Sequence, residues 1–208
     1  RQEVASQVNA NEVIVNNPRQ GRLINASKVS GRNKKGLGIG VFNAIEDESR
    51  AEIRNTEDNS RRSVQTNPLT NYNVMVFDQV LRNNSFVTFT NTNVLRQGSV
   101  YDANVSRLDL QVADKSNRYA VLGHAAMSHR FFEEQTISGN SYNATLAKIS
   151  GNFRWNLQQT VIEKDYDIND LGFQVIRNTN TSYGYLSYQK FKPFWIFNRM
   201  RQELDVTY

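Results

Sequence analysis

The segment Asp165-Tyr166-Asp167-Ile168-Asn169-Asp170 places oxygen donors at alternate positions, the spacing with which a loop surrounds calcium. Asp165, Asp167 and Asn169 are the candidate ligands. The standard loop also needs glycine at its sixth position and glutamate at its twelfth; Asp170 fills the sixth and no glutamate follows. A solvated acidic loop without a cofactor is the expectation. His124 and His129 are the only histidines, and five residues apart on a regular strand they point to opposite faces, so they cannot share a metal. There is no cysteine to make a thiolate site or nucleophile. Neither histidine lies in a recognisable nucleophile context. Glu133-Glu134 are adjacent and give no facing carboxylates for glycoside chemistry. Gly36-Leu37-Gly38-Ile39-Gly40 alternates glycine with apolar residues and no helical pattern follows, so it is no phosphate-binding turn. No catalytic constellation emerges, and the chain does not read as an enzyme.

The elements that position these residues are strands. Hydrophobic residues make up 38% of the 208, and mean hydropathy is −0.61. So little apolar content means either disorder or a sheet with one wet face and one dry face. Aromatics at 11% favour the sheet. A net charge of +5 is spread among acidic residues, with Lys34-Lys35 and Arg61-Arg62 the tightest basic pairs, so no nucleic-acid partner is expected. No stretch approaches the ~20 apolar residues of a membrane-spanning helix, which leaves barrel strands open.

Strand-length runs separated by turn chemistry fill the chain from Gly21: approximately 21–31, 36–45, 69–81, 86–96, 101–113, 118–131, 141–150, 152–162, 181–191 and 194–206. The clearest alternation sets Phe153, Trp155, Leu157 and Val161 on one face against Arg154, Asn156, Gln158 and Thr160 on the other. The first set is expected to face lipid and the second a lumen. Two runs break the rule: Val74-Met75-Val76-Phe77 is apolar on both faces, and His124-Ala125-Ala126-Met127 is clear on neither. Short turns, such as Arg82-Asn83-Asn84 and Gly151-Asn152, alternate with longer polar segments at 46–68, 97–100, 132–140 and 163–180. Outer-membrane barrels alternate periplasmic turns and extracellular loops in this way. Residues 1–20 read as a polar lead-in and 21–208 as the barrel segment. The chain starts at Arg1-Gln2-Glu3 and stops at Tyr208 within an alternating run, so both ends look cut from a longer secreted chain.

The blocks Leu23-Ile24-Asn25-Ala26-Ser27-Lys28-Val29-Ser30-Gly31-Arg32, Lys35 through Ala44, Asn67-Pro68-Leu69-Thr70-Asn71-Tyr72-Asn73 and Asp170-Leu171-Gly172-Phe173 resemble a Bacteroidota outer-membrane protein family. Its members pair an N-terminal family-nine-type carbohydrate-binding module with a C-terminal, barrel-like domain of unknown function. The resemblance covers most of residues 20–205 and implies a missing carbohydrate-binding module, and through it a glycan partner; it assigns no catalytic residue. The expectation is therefore all-β: an antiparallel up-and-down transmembrane β-barrel, of which this is an excerpt of about ten strands. It would sit in the bacterial outer membrane, anchoring or conducting, in contact with outer-membrane lipid and with the barrel-assembly machinery during biogenesis. The alternative is a soluble β-rich domain that binds carbohydrate or another ligand with its loops.

Overall fold

The computed structural model describes residues 4–18 and 21–208. All ten expected strands form, joined into one antiparallel sheet. They are β2 (Leu23–Arg32), β3 (Leu37–Glu46), β6 (Thr70–Val80), β7 (Phe86–Arg96), β8 (Asp102–Ala113), β9 (Tyr119–Phe131), β10 (Thr136–Lys148), β11 (Phe153–Ile162), β12 (Thr179–Lys190) and β13 (Met200–Thr207). Each pairs with its neighbour in sequence, except that β3 pairs with β6 across an insertion. Among the described residues β2 and β13 are edges paired on one side only, so the ten strands form an open sheet and not a closed barrel.

Three strands lie in stretches expected to be irregular. Within the expected lead-in, Val4–Gln7 makes a 3-10 turn and β1 covers Glu12–Asn16; residues 1–3 and 19–20 of that lead-in lie outside the described residues. Within the expected 46–68 loop lie β4 (Ser49–Asn55) and β5 (Arg61–Asn67). Together they make a second, three-stranded sheet in the order β1-β4-β5. Its core is a single apolar cluster of Val4, Ala51 and Ile53, with Val8 and Val64 packed against it. Ala51 and Ile53 point inward while Arg50, Glu52 and Arg54 alternate outward, so the charge density that suggested a loop is one face of a strand. Two other limits move as well. β10 begins at Thr136, which contracts the 132–140 loop, and β13 begins at Met200, after a tight turn closed by backbone bonds between Phe194 and Phe197.

The large sheet sorts its side chains by face without exception among its buried positions. One face carries Ile39, Phe77, Phe89, Leu108, Ala125, Tyr142 and Val161, which lie in cross-strand register from β3 to β11. Nothing on that face is buried. Every buried residue of these strands lies on the opposite, polar face, and apart from Val94 these are small or polar: Ala44, Ala103, Ala126, Ala147, Thr70, Ser128, Ser141 and Ser187 among them. A water-soluble sheet buries its apolar face; this one shelters its polar face and leaves the apolar one bare.

The strands are also staggered. Following the register from one tight hairpin to the next, the terminal pair moves outward by two, two, one and four residues: Arg32↔Gly38, Val80↔Phe86, Ala113↔Ala120, Lys148↔Trp155 and Lys190↔Met200. At ~3.3 Å rise and ~4.8 Å strand spacing, a mean drift of about one residue per strand tilts the strands by roughly 35–40° from the normal to the line of turns.

Candidate functional site

The β11 residues fall as the alternation predicts. Phe153, Trp155, Leu157 and Val161 share the apolar face, and Leu157, 60% exposed, continues the row Val121–Leu146–Leu157 toward Val206 across Gly184. A shallow apolar hollow of about 520 Å³ opens there, over Gly184. At the turn end of this face Tyr119 and Trp155 lie 6.4 Å apart, with Phe153 and Tyr188 paired across strands beside them. At the loop end the face turns polar. Ser27, Asn43, Asn73, Asn93, Asn104, His129 and Ser138 form one continuous row over seven strands. Its members bond laterally: Asn43 donates to Asn73 at 2.8 Å, and His129 meets Ser138 at 2.7 Å. The apolar band is thus edged by aromatics at the turn end of β9, β11 and β12 and by amides and hydroxyls at the loop end of β2 to β10. Tyr142 sits mid-strand within the band, and Tyr72 and Tyr183 turn to the polar face.

Arg154, Asn156, Gln158 and Thr160 lie on the half-buried polar face. Asn143 and Gln158 both donate to the Thr160 hydroxyl, at 2.8 and 3.1 Å. Arg107 grips Asp109 through two nitrogens, and Thr88 donates to Asp78, which also pairs with Arg32. Gly38 leaves the space that the Arg32 guanidinium fills, and Gly40 faces Val76, so the alternate glycines of β3 accommodate larger neighbours on the polar face. This also explains the doubly apolar run in β6. His124 reaches Ser141 on the polar face while His129 lies on the other, so the two histidines do point apart.

The 163–178 connection carries the densest polar cluster. Asp167 lies between Arg177 at 3.1 Å and Arg130 at 3.3 Å. Asp170 pairs with Arg96 and accepts from the Tyr101 hydroxyl at 3.1 Å, and the Arg96 guanidinium lies over the Tyr101 ring. Burial, reinforced by the Asp170 carboxylate, pushes the Tyr101 phenol above its ordinary value; burial does the same to Tyr166. The proposed calcium ligands are not brought together. Asp165 is half exposed beside Lys164, Asn169 donates to Asp167, and the Asp167 carboxylate faces two guanidiniums. Among the described residues no group of three or more acidic or histidine side chains converges as a metal site. Arg96, Arg130 and Arg177 were invisible as a cluster in the sequence. Alternation assigns the first two to the polar face, but nothing local indicates which loop descends to meet them.

Between the small sheet and the polar face lies a pocket of about 340 Å³ lined by Gln65, Asn67, Tyr72, Arg96 and Tyr101. No helix of the described residues is long and apolar enough to cross a membrane, which leaves strand-spanning untouched.

These features define a class: an all-β, antiparallel meander with one bare apolar face, one sheltered polar face and a small appended sheet. The chain belongs to the family described as a domain of unknown function (DUF5916), whose family model matches residues 1–208. That membership carries neither a bacterial group nor a carbohydrate-binding module. No curated protein and no solved structure matches the chain.

Proposed function

We propose that this chain forms wall strands of an outer-membrane β-barrel that anchors or conducts. The observation that carries this reading is the inverted sheet: the apolar face is bare while every buried residue of its strands lies on the polar face. Exposed, contiguous apolar surface of this extent is costly in water and is what lipid demands. The strand tilt of roughly 35–40° agrees with the ~35–45° of outer-membrane barrels. The aromatic edge suits one interface and the amide row the other. Closure needs pairing at the edges β2 and β13, which would remove their open backbone donors and acceptors. The link to glycan capture rests on the resemblance of the ordered blocks alone. In a cell fractionation, the protein should sediment with outer membranes and resist alkaline extraction; recovery in the soluble periplasmic fraction contradicts the proposal.

The pocket beside Tyr72 and Tyr101 favours a second reading, a β-rich domain that binds a ligand at its loop end. Soluble, monomeric protein obtained without detergent would support that reading over the barrel.

A further inference from the structure

Long loops of a membrane barrel ordinarily extend into water. The 163–178 loop instead folds back along the polar face. The Asp167 amide donates to the Ser128 hydroxyl at 2.9 Å, and Ser128, three residues in from the loop end of β9, is only 1% exposed. Tyr166 is 4% exposed and lies close enough to Arg107 and Asp109 to feel their charges. Gly139 has no side chain because there is no room for one: a Cβ there would collide with backbone atoms of Asp165 and Tyr166. The wall is pared down where the loop lies, with Ala103, Ala126, Ser128 and Ser141 all buried on this face. Ala126, 4% exposed, is one of these pared-down positions, which is why the His124–Met127 run shows no clear alternation. Arg130 on β9 and Arg96 on β7 then clamp Asp167 and Asp170 from two separate strands.

Charge pairs this sheltered are costly to assemble and costlier to break by removing one partner. An isolated surface loop has no use for them. We propose that the 163–178 loop is a plug that occupies the channel and sets its conductance, a reading that rests on the barrel proposal. Opening requires Asp167 and Asp170 to leave their arginines and the loop backbone to lift from Gly139. The rest of the polar face then offers a hydrophilic path lined by Arg154, Gln158, Thr160 and Tyr183.

The test uses the full-length protein in planar bilayers, with two variants that loosen the plug by different means. Gly139→Val inserts a side chain where the loop backbone lies and suits a strand. The double change Asp167→Ala with Asp170→Ala removes the ionic clamp without adding bulk. Both should raise single-channel conductance several-fold and make the chain cleavable by trypsin after Lys164 and Arg177, while a lipid-quenched probe at position 157 is unaffected. If either variant folds, keeps its quenching at 157 and conducts like the wild type, the plug is wrong and the barrel stands. Loss of quenching at 157 in the unmodified protein overturns both together.

Discussion

The two sheets of this chain solve opposite problems. The small sheet β1-β4-β5 has a core of Val4, Ala51 and Ile53, with Ile53 and Ala51 fully buried and ion pairs such as Arg61–Glu52 outside. It is organised for water. The large sheet reverses that arrangement within the same chain: Leu157, Leu204 and Val206 are bare, while Ser128 and Ser187 are buried. The contrast teaches that composition averaged over the chain hides two opposite arrangements of apolar and polar faces. A low mean hydropathy describes neither sheet, since each has enough apolar surface for the side that needs it.

Breaking the small sheet should give the largest loss. Ile53→Ala removes the central side chain of a core of very few residues, and a cost of about 2–5 kcal/mol is expected. Hydrogen exchange should show amides of β4 and β5 losing protection while those of β8 to β10 keep theirs. Uniform loss across both sheets would mean that they are one cooperative unit.

The matching break in the large sheet is a charge on its apolar face. Leu157→Arg should cost roughly 2–4 kcal/mol in urea titrations of bilayer-folded protein, whereas Gln158→Arg should be tolerated because it faces polar groups. Equal costs at the two positions would dissolve the distinction between the faces.

A smaller, pH-dependent effect belongs to the small sheet alone. Glu12 bonds to Arg62, and that bond, with the Asn9 amide, holds its carboxyl down at about 2 from an ordinary 4.5. A depressed carboxyl stabilises the fold above its unfolded value and loses that contribution as pH falls through the folded one. Protection of β1 should therefore decline between pH about 4.5 and about 2, and Glu12→Gln should flatten the decline. The smallest expected effect is that of a chelator. With Asp167 taken up by two arginines, EDTA should leave the melting temperature unchanged, and a fall abolished by Asp167→Ala would restore the calcium reading.

Period-two alternation made the large sheet legible. All ten of its strands, the faces of β11 and the opposed histidines follow from it, because side-chain direction on a strand is fixed by parity alone. The small sheet was hidden because Arg50, Glu52, Arg54, Arg61 and Arg62 outnumber the two inward residues Ala51 and Ile53, and its third strand comes from far along the chain. The loop cluster was hidden for a related reason. Arg96, Arg130 and Asp167 are brought together by the inward fold of a connection, and nothing in the residues of 163–178 encodes its direction. Small residues in β9 and β10 were the trace it left, and without the loop in place they read only as weak alternation.

The direction of the greasy face decides the account. A fluorescent probe at position 157 of the full-length protein in bilayers, compared with one at 158, tests it with spin-labelled lipid. Strong quenching at 157 with little at 158 is the result this account predicts. Absence of quenching at both positions would mean that the apolar face is covered by protein, and the barrel reading would be wrong.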